Sequence, residues 1–359
     1  MSEALGHGVT PRPEIAGLPA YVPGQRPEPG RRIFKLSSNE VALPPLPAVM
    51  AAIADAAGDA NRYPDMYATA LTEALAAHVG VGADQIVAGN GSVAVLSHVL
   101  TAVCRPGDEV VIPWRSFEAY PIVLSVAGAQ AVPVPLDAEG RHDLARMADA
   151  VTERTRAVML CTPNNPTGPA LTHREVRDFL AAVPPQVLVV LDEAYLEFVR
   201  NDDPVDGVAL AAAHQNLVLL RTFSKAYGLA GLRVGYAVAS PALAGAVRSA
   251  STPFGVNAAA QAAGLAALSA QQEVAARVAS VVRERERMRS ALLAMGWQVP
   301  DPQGNFLWFP LGDQSLACAR AAQEAGVLVR PFSGDGVRIS VGEPEANSLV
   351  LELAESWLT

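Results

Sequence analysis

The chain has 359 residues and a formal net charge of −9 at pH 7, with 36 Asp and Glu against 27 Lys and Arg. Nucleic-acid binding requires clustered Lys and Arg, so this balance argues against a nucleic-acid partner. No apolar stretch approaches the roughly 20 residues that span a bilayer, which argues against a membrane protein. Because a single core stops growing at roughly 250–300 residues, we expect two domains.

The N-terminal segment is rich in proline and reads "PRPEIAGLPAYVPGQRPEPG" from residue 11 to residue 30. Proline fixes φ and removes a backbone donor, so we expect an extended arm over residues 1–35. The first residues lack the basic and apolar segments of a secretory signal peptide. We therefore expect a cytoplasmic protein.

Apolar runs typical of strands alternate with helical stretches from residue 86 to about residue 240. The runs are "IVAGN", "DEVVIP", "AQAVPVPL", "TRAVMLC", "VLVVLDEAY", "NLVLLRTF" and "RVGYAVAS". This alternation predicts an α/β domain over residues 36–245, in which a mainly parallel sheet is covered by helices on both faces. A long helical stretch followed by the short strands "NFLWFPL", "GVLVRPF" and "GVRISVG" predicts a smaller α+β domain over residues 246–359.

The ligand site of a parallel α/β sheet lies beyond the carboxyl ends of its strands, so the residues after each apolar run are candidates. Gly91 and Ser92 follow "IVAGN" in a turn that leads into a predicted helix. The first N–H groups of such a helix are available to an anion. Because the GxGxxG and GxxxxGK[ST] fingerprints are both absent, a nicotinamide oxidoreductase or a phosphate-loop enzyme is not favoured.

Two further strand ends carry an acid and an amine. Asp192 ends the run "VLVVLD", where it is either a helix cap or satisfied core acid, or the partner of a charged heterocycle. Lys225 follows the apolar run "NLVLLRTF". In such an apolar setting, burial disfavours the ammonium form of the lysine and makes its amine available for Schiff-base formation. Thr222, Ser224 and Arg233 supply hydroxyls and a guanidinium suited to a phosphate. One cofactor needs an amine, a phosphate site and a carboxylate for its ring nitrogen, and it is pyridoxal 5′-phosphate.

Several motifs occur in an order that is typical of one family. "CTPNNPTGP" spans 161–169, "LDEAY" spans 191–195 and "TFSKAYGLAGLRVG" spans 222–235. Together they resemble the fold-type I pyridoxal-phosphate aminotransferases. Through "YVPG", "SSNE", "NRYPD" and "VRISVG" the chain is similar to the histidinol-phosphate aminotransferase branch, over about residues 15 to 345.

The resemblance implies a role for each matching residue. Lys225 bonds to the cofactor and moves the substrate α-proton, Asp192 keeps the pyridine nitrogen protonated, and Tyr195 and Asn165 hydrogen-bond the phenolic oxygen. The implied phosphate ligands are Gly91, Ser92, Thr222, Ser224 and Arg233. Tyr63 of "NRYPD" reaches the phosphate from the other subunit, so the resemblance also implies a homodimer.

The resemblance implies substrate contacts as well. Phe117 matches a ring that stacks on the cofactor, although an isolated phenylalanine is more often a core residue. Arg338 matches the arginine that binds the substrate α-carboxylate, and its apolar neighbours predict a half-buried strand that points it inward. Positions in the substrate pocket or closing arm are implied for Tyr21, Asn39, Glu40 and Arg330.

The substrate side chain separates two predictions. "RSFEAYPI", "NRYPDM" and "SSNEVALPPLP" resemble the aromatic amino-acid aminotransferases, and Phe254 stands where some histidinol-phosphate enzymes have tyrosine. We therefore predict ping-pong transfer of the amino group from phenylalanine, tyrosine or tryptophan to 2-oxoglutarate. Histidinol-phosphate aminotransferase is the alternative, and a decarboxylase on the same fold would share every cofactor residue. No metal site is predicted, because no metal-ligand spacing such as HExxH occurs.

Overall fold

The computed structural model describes residues 9–18 and 33–358. Within the predicted N-terminal arm it contains the short helix α1 (Pro13–Ala16) and the two-residue strand β1 (Phe34–Lys35). The guanidinium of Arg12 donates to the carbonyl of Val126 at 3.0 Å, which attaches the α1 segment to the larger body of the protein.

A seven-stranded sheet forms the centre of the described residues, with strand order β2-β8-β7-β6-β5-β3-β4. The strands are β2 (Ile86–Gly89), β3 (Glu109–Trp114), β4 (Gln130–Pro135), β5 (Thr155–Cys161), β6 (Leu188–Asp192), β7 (Leu217–Thr222) and β8 (Gly235–Val238). Pairing is parallel from β4 across to β7, whereas β8 runs antiparallel to both β7 and β2. The predicted α/β fold with a mainly parallel sheet is confirmed.

Helices cover both faces of this sheet. They are α2 (Pro47–Ala57), α3 (Thr69–Val79), α4 (Ser92–Val103), α5 (Ala119–Ala127), α6 (Leu144–Asp149), α7 (His173–Ala182), α8 (Gly207–Ala213), α9 (Pro241–Ala250) and α10 (Ala258–Ser269). Successive strand side chains point to opposite faces, so Val189 and Leu191 join the core under α7 while Val190 joins the core under α4 and α5. Both cores are apolar because both faces are covered, as expected of a parallel sheet.

The C-terminal part contains a second, smaller sheet. Its strands β9 (Phe306–Phe309), β11 (Arg330–Phe332) and β12 (Gly336–Ser340) are antiparallel in the order β11-β12-β9, and β10 (Val327–Leu328) pairs with β1. The same part of the chain contains three helices, α11 (Gln271–Met295), α12 (Ser315–Glu324) and α13 (Pro344–Ser356). Helix α10 lies within the range 246–359 that was predicted to form the smaller domain, but it packs on α2, which covers the large sheet. The domain boundary at residue 245 stays a prediction.

None of the helices that the structure describes is long and apolar enough to cross a membrane. The polar side chains that matter for chemistry lie instead where the carboxyl ends of β5, β6 and β7 approach the face of β11 and β12.

Candidate active site

A cavity of about 310 Å³ opens at the carboxyl ends of the central strands. Most of the predicted site residues line it, namely Ser92, Phe117, Asn165, Asp192, Tyr195, Thr222, Ser224, Lys225, Arg233, Arg330 and Arg338, together with Glu40. They come from both sheets and from the segment after β1. The fold therefore brings together residues that are up to about 300 positions apart in the chain.

Lys225 lines the cavity and lies three residues beyond β7. Its Nζ donates to the carbonyl of Ser38 at 3.1 Å and lies 5.6 Å from the ring centroid of Tyr195. Burial, followed by the positive charge of Arg338, lowers the pKa of Lys225 to about 7. A substantial fraction of the amine is therefore neutral, and nucleophilic, at neutral pH.

Asp192 is the last residue of β6 and is 6% exposed. Its Oδ2 accepts a hydrogen bond from the hydroxyl of Tyr120 at 2.8 Å, and its Oδ1 accepts from the backbone N–H of Ala194 at 3.2 Å. Burial raises the pKa of Asp192 to about 6, with the Tyr120 hydrogen bond acting in the opposite direction. A cation bound beside this buried carboxylate would therefore stabilise its ionised form.

Tyr120 is a functional candidate that sequence reasoning missed. It is fully buried in the first turn of α5, three residues after Phe117, and the two rings meet edge-on with their centroids 5.5 Å apart. The available signal was its place in "SFEAYP", one helical turn from a residue already assigned to the site.

Tyr195 and Asn39 form a buried hydrogen bond at the cavity wall. The Nδ2 of Asn39 donates to the Tyr195 hydroxyl at 2.9 Å, and the Oδ1 of Asn39 accepts from Ser340 Oγ at 3.0 Å. Asn39 is fully buried and does not line the cavity, in contrast to the expected substrate contact. Its position behind Tyr195 indicates that it orients the tyrosine, and burial raises the pKa of Tyr195.

Arg338 projects from β12 into the cavity and is 7% exposed. Its two terminal nitrogens donate to Asn165 Oδ1 at 2.5 Å and to the carbonyl of Ser37 at 2.7 Å. Val337 and Ile339, on the other face of the strand, belong to the core of the small sheet. The guanidinium is thereby held in one orientation, as a carboxylate-binding arginine requires.

Groups that suit an anion, here called the anion cradle, lie together at the start of α4. The first N–H groups of a helix have no partner within the helix and carry partial positive charge, and Ser92 occupies this first turn. Arg233 Nη1 lies 3.4 Å from Ser224 Oγ, and the Ser224 N–H donates to Thr222 Oγ1 at 3.1 Å. Gly91 has φ of 84°, and a Cβ there would lie 2.6 Å from Arg233 Nη2, so a side chain at this position would disturb the cradle.

A buried ion pair, also missed by sequence reasoning, lies on the opposite face of the same strands. Arg221 Nε and Glu193 Oε2 are 2.8 Å apart, with side chains 14% and 1% exposed. Arg221 precedes Thr222, and Glu193 follows Asp192. The pair therefore joins the ends of β6 and β7 directly behind the cavity.

Tyr63 lies outside the cavity, in contrast to its expected place at the site. Tyr63 is 83% exposed and stacks on Phe254 with ring centroids 4.7 Å apart, outside the cavity lining. Tyr21 falls outside the described residues. Within 9–18 and 33–358, no group of three or more His, Cys, Asp or Glu is arranged to hold a metal ion.

An amine, a carboxylate, a buried guanidinium and the anion cradle thus line one cavity. This set fits a ligand that has an anionic group, a basic ring nitrogen and a carbonyl within reach of Lys225. The fit is one of chemical type, since each of these three groups of the ligand has a chemically matching residue in the cavity wall.

Comparison with known proteins agrees with this description. A family model described as "Aminotransferase class I and II" matches residues 31–352. An aromatic amino acid aminotransferase of Rhodococcus jostii is 54% identical over 96% of this chain and 95% of its own, and one of Streptomyces coelicolor is 50% identical over 96% and 97%. A solved structure of histidinol-phosphate aminotransferase from Sinorhizobium meliloti, in complex with pyridoxal 5′-phosphate, has a TM-score of 0.88 at 29% identity and covers 99% of both chains.

The substitution Gly91→Ala tests the anion cradle. We expect it to weaken binding of inorganic phosphate, measured by calorimetry, by roughly 10-fold or more, because the added methyl group displaces Arg233. Gly107→Ala is the matched control, since Gly107 also has positive φ, of 93°, but a Cβ there would have nothing within 4 Å. Equal phosphate affinity in the two variants would contradict the assignment.

Proposed function

This chain belongs to the class I and II aminotransferase family, and we propose that it uses pyridoxal 5′-phosphate to transfer the amino group of an aromatic amino acid to 2-oxoglutarate. The family membership confirms the resemblance that the sequence motifs indicated. The observation that carries the proposal is the presence in one cavity of Lys225, with its lowered pKa, Asp192 and Arg338.

The cavity residues suit the cofactor group by group. Asp192 would hold the protonated ring nitrogen, and Tyr195 and Asn165 would hold the phenolic oxygen. The phosphate would be held by the first turn of α4 and by Ser92, Thr222, Ser224 and Arg233. When bound, the cofactor supplies an electron-withdrawing ring that stabilises negative charge on the substrate α-carbon.

Arg338 and Lys225 have different roles toward the substrate, one in binding and the other in proton transfer. Arg338 binds the α-carboxylate, which orients the α-carbon toward Lys225 Nζ. The neutral Lys225 amine then takes the α-proton as a general base and later returns a proton. Because the charge of Arg338 lowers the pKa of Lys225, a carboxylate on Arg338 offsets that charge and makes the amine a stronger base.

The aromatic substrate class is supported by the relatives and by the cavity wall. The two relatives named aromatic amino acid aminotransferase share 54% and 50% identity with this chain. Phe117 and Phe332 both line the cavity, so an aromatic side chain has apolar partners there. Histidinol phosphate remains the alternative substrate, and decarboxylation remains the alternative reaction.

We also propose a homodimer with the active site at its interface. An exposed cluster of large apolar side chains supports it, formed by Tyr63, Met66, Tyr67 and Phe254, which are 83%, 43%, 67% and 38% exposed. Clusters of this kind mark protein–protein interfaces, where aromatic residues are enriched. Tyr63 would then serve the phosphate site of the other subunit, and the cytoplasmic location stays a prediction.

The substrate assignment is tested by mixing cofactor-loaded protein with L-phenylalanine in the absence of an acceptor and following the cofactor absorbance. We expect conversion at lower concentrations of L-phenylalanine than of L-histidinol phosphate, with one phenylpyruvate formed per site and no carbon dioxide. Conversion by L-histidinol phosphate alone would contradict the aromatic assignment, and release of carbon dioxide would establish the decarboxylase.

The two lysines of the chain, Lys225 and Lys35, provide a matched control in this assay. Lys225→Ala is expected to slow the conversion by at least about 10²–10⁴-fold, because the general base is lost. Lys35, whose half-buried side chain pairs with Glu40 at 2.7 Å, is expected to tolerate arginine, which keeps that ion pair, within about twofold.

Tyr120→Phe tests whether the tyrosine positions Asp192. Losing a hydrogen bond to a buried carboxylate is expected to weaken cofactor binding by roughly 10-fold and to lower kcat, with a smaller effect on the KM of L-phenylalanine. Tyr236→Phe is the control for the loss of a buried tyrosine hydroxyl, because the Tyr236 hydroxyl hydrogen-bonds Arg221 on the other face of the sheet and does not line the cavity. If both variants bound the cofactor as the wild type does, Tyr120 would have no role in the site.

A further inference from the structure

An ion pair between Glu118 and Arg330 forms part of the cavity wall. Arg330 Nη2 and Nε lie 2.6 Å and 3.1 Å from Glu118 Oε2. The side chains are 11% exposed for Arg330 and 30% exposed for Glu118, and both line the cavity that contains Lys225. Arg330 lies in β11 and Glu118 directly precedes α5, so the pair joins the small sheet to the start of that helix.

Strand register places this pair beside the carboxylate-binding arginine. Arg330 and Arg338 are direct partners across β11 and β12, so their Cβ atoms share one face at about 4.5–5.5 Å. Phe332, two residues along β11, lies on the same face, with its ring centroid 5.8 Å from the guanidinium carbon of Arg330 and 5.9 Å from that of Arg338. A substrate whose α-carboxylate is bound to Arg338 therefore has Phe332 and the ion pair within reach of its side chain.

Of the charged residues in the cavity wall, the pair of Glu118 and Arg330 is the one that remains available to contact the substrate side chain. The charged residues that line the described cavity are Glu40, Glu118, Asp192, Lys225, Arg233, Arg330 and Arg338. Glu40 pairs with Lys35, and the proposed function uses Asp192, Lys225, Arg233 and Arg338 for the cofactor and the α-carboxylate. The remaining cation, Arg330, already faces the remaining anion, Glu118.

We propose that Glu118 is a specificity-determining residue that favours substrates with a neutral side chain. The proposal rests on the function proposed above and concerns the same site. By neutralising Arg330, Glu118 removes the attraction that a second carboxylate on the substrate would otherwise find in the wall. Such a group has to displace Glu118 from Arg330, whereas an aromatic ring packs on Phe332 and leaves the pair in place.

The same reasoning extends to the proposed acceptor. 2-Oxoglutarate carries a second carboxylate, so its binding has to move Glu118 toward solvent, which its 30% exposure permits. Glu118 thereby sets the affinity for the acidic acceptor relative to the aromatic donor.

The test compares two non-reacting ligands on cofactor-loaded protein by calorimetry. Glutarate and 3-phenylpropionate each offer one carboxylate to Arg338, and they differ in carrying a second carboxylate or a phenyl ring. Glu118→Gln keeps the shape of the side chain and removes its charge. We expect glutarate to bind roughly 10-fold more tightly to this variant, with 3-phenylpropionate changed by less than about twofold.

Two further variants make the test specific. Asp178→Asn removes the partner of Arg177, an exposed ion pair of 2.8 Å whose residues do not line the cavity, and is expected to leave both affinities unchanged. The double variant E118Q/R330Q is expected to lose the gain in glutarate affinity, because no guanidinium remains for the second carboxylate.

Turnover gives an independent measurement. In Glu118→Gln, the kcat/KM for L-glutamate, which carries a second carboxylate, relative to that for L-phenylalanine is expected to rise by roughly 10-fold. An unchanged ratio together with unchanged glutarate binding would overturn the inference while leaving the proposed function intact. A wild-type protein that does not accept L-phenylalanine would instead overturn the proposed function.

Discussion

The chemistry of this site depends on a lysine whose charged form is disfavoured. Burial and the guanidinium of Arg338 both oppose protonation of Lys225 and lower its pKa to about 7. Asp192 lies in the same cavity but belongs to a different strand end, and its hydrogen bonds go to Tyr120 and Ala194. Because Asp192 forms its hydrogen bonds with other groups, it does not hold the Lys225 amine in the charged form, and the amine stays reactive. The Asp192 carboxylate is available to a ligand instead.

The alternation of side chains along β6 and β7 separates chemistry from support. Asp192 and Thr222 point to the face that carries α4 and α5, where the cavity lies. Their neighbours Glu193 and Arg221 point to the other face and form the buried ion pair behind it. One pair of strand ends thus supplies both the ligand contacts and the interaction that fixes the ends relative to each other.

The small sheet contributes a further part of the cavity wall. Arg338 and Arg330 face the cavity as cross-strand neighbours, and Phe332 lies on the same face, close to both guanidinium groups. One strand pair therefore carries a buried guanidinium, an apolar ring and a second arginine that pairs with Glu118. In the proposed function, this arrangement binds an α-carboxylate and disfavours a charged substrate side chain.

Local sequence patterns predicted the strand ends but not their long-range partners. The apolar runs end at Asp192 and Thr222, where β6 and β7 also end, because a buried strand has to be apolar up to the point where it reaches the ligand. The hydrogen bond from Tyr120 to Asp192 and the pair of Glu118 with Arg330 join residues 72 and 212 positions apart. No pattern within one helix or strand records such contacts, and the same holds for Asn39, which the structure places behind Tyr195.

The most direct test of the Lys225 chemistry is an NMR titration of protein labelled with ¹³C at the lysine ε-carbons, since the chain has two lysines and gives two signals. We expect the cofactor-free protein to show a Lys225 signal that titrates with a pKa of about 7, and we expect Arg338→Gln to raise that pKa. A Lys225 signal that titrates near the ordinary lysine value of about 10.4, or one that is unmoved by Arg338→Gln, would contradict the claim that burial and Arg338 together keep the amine neutral.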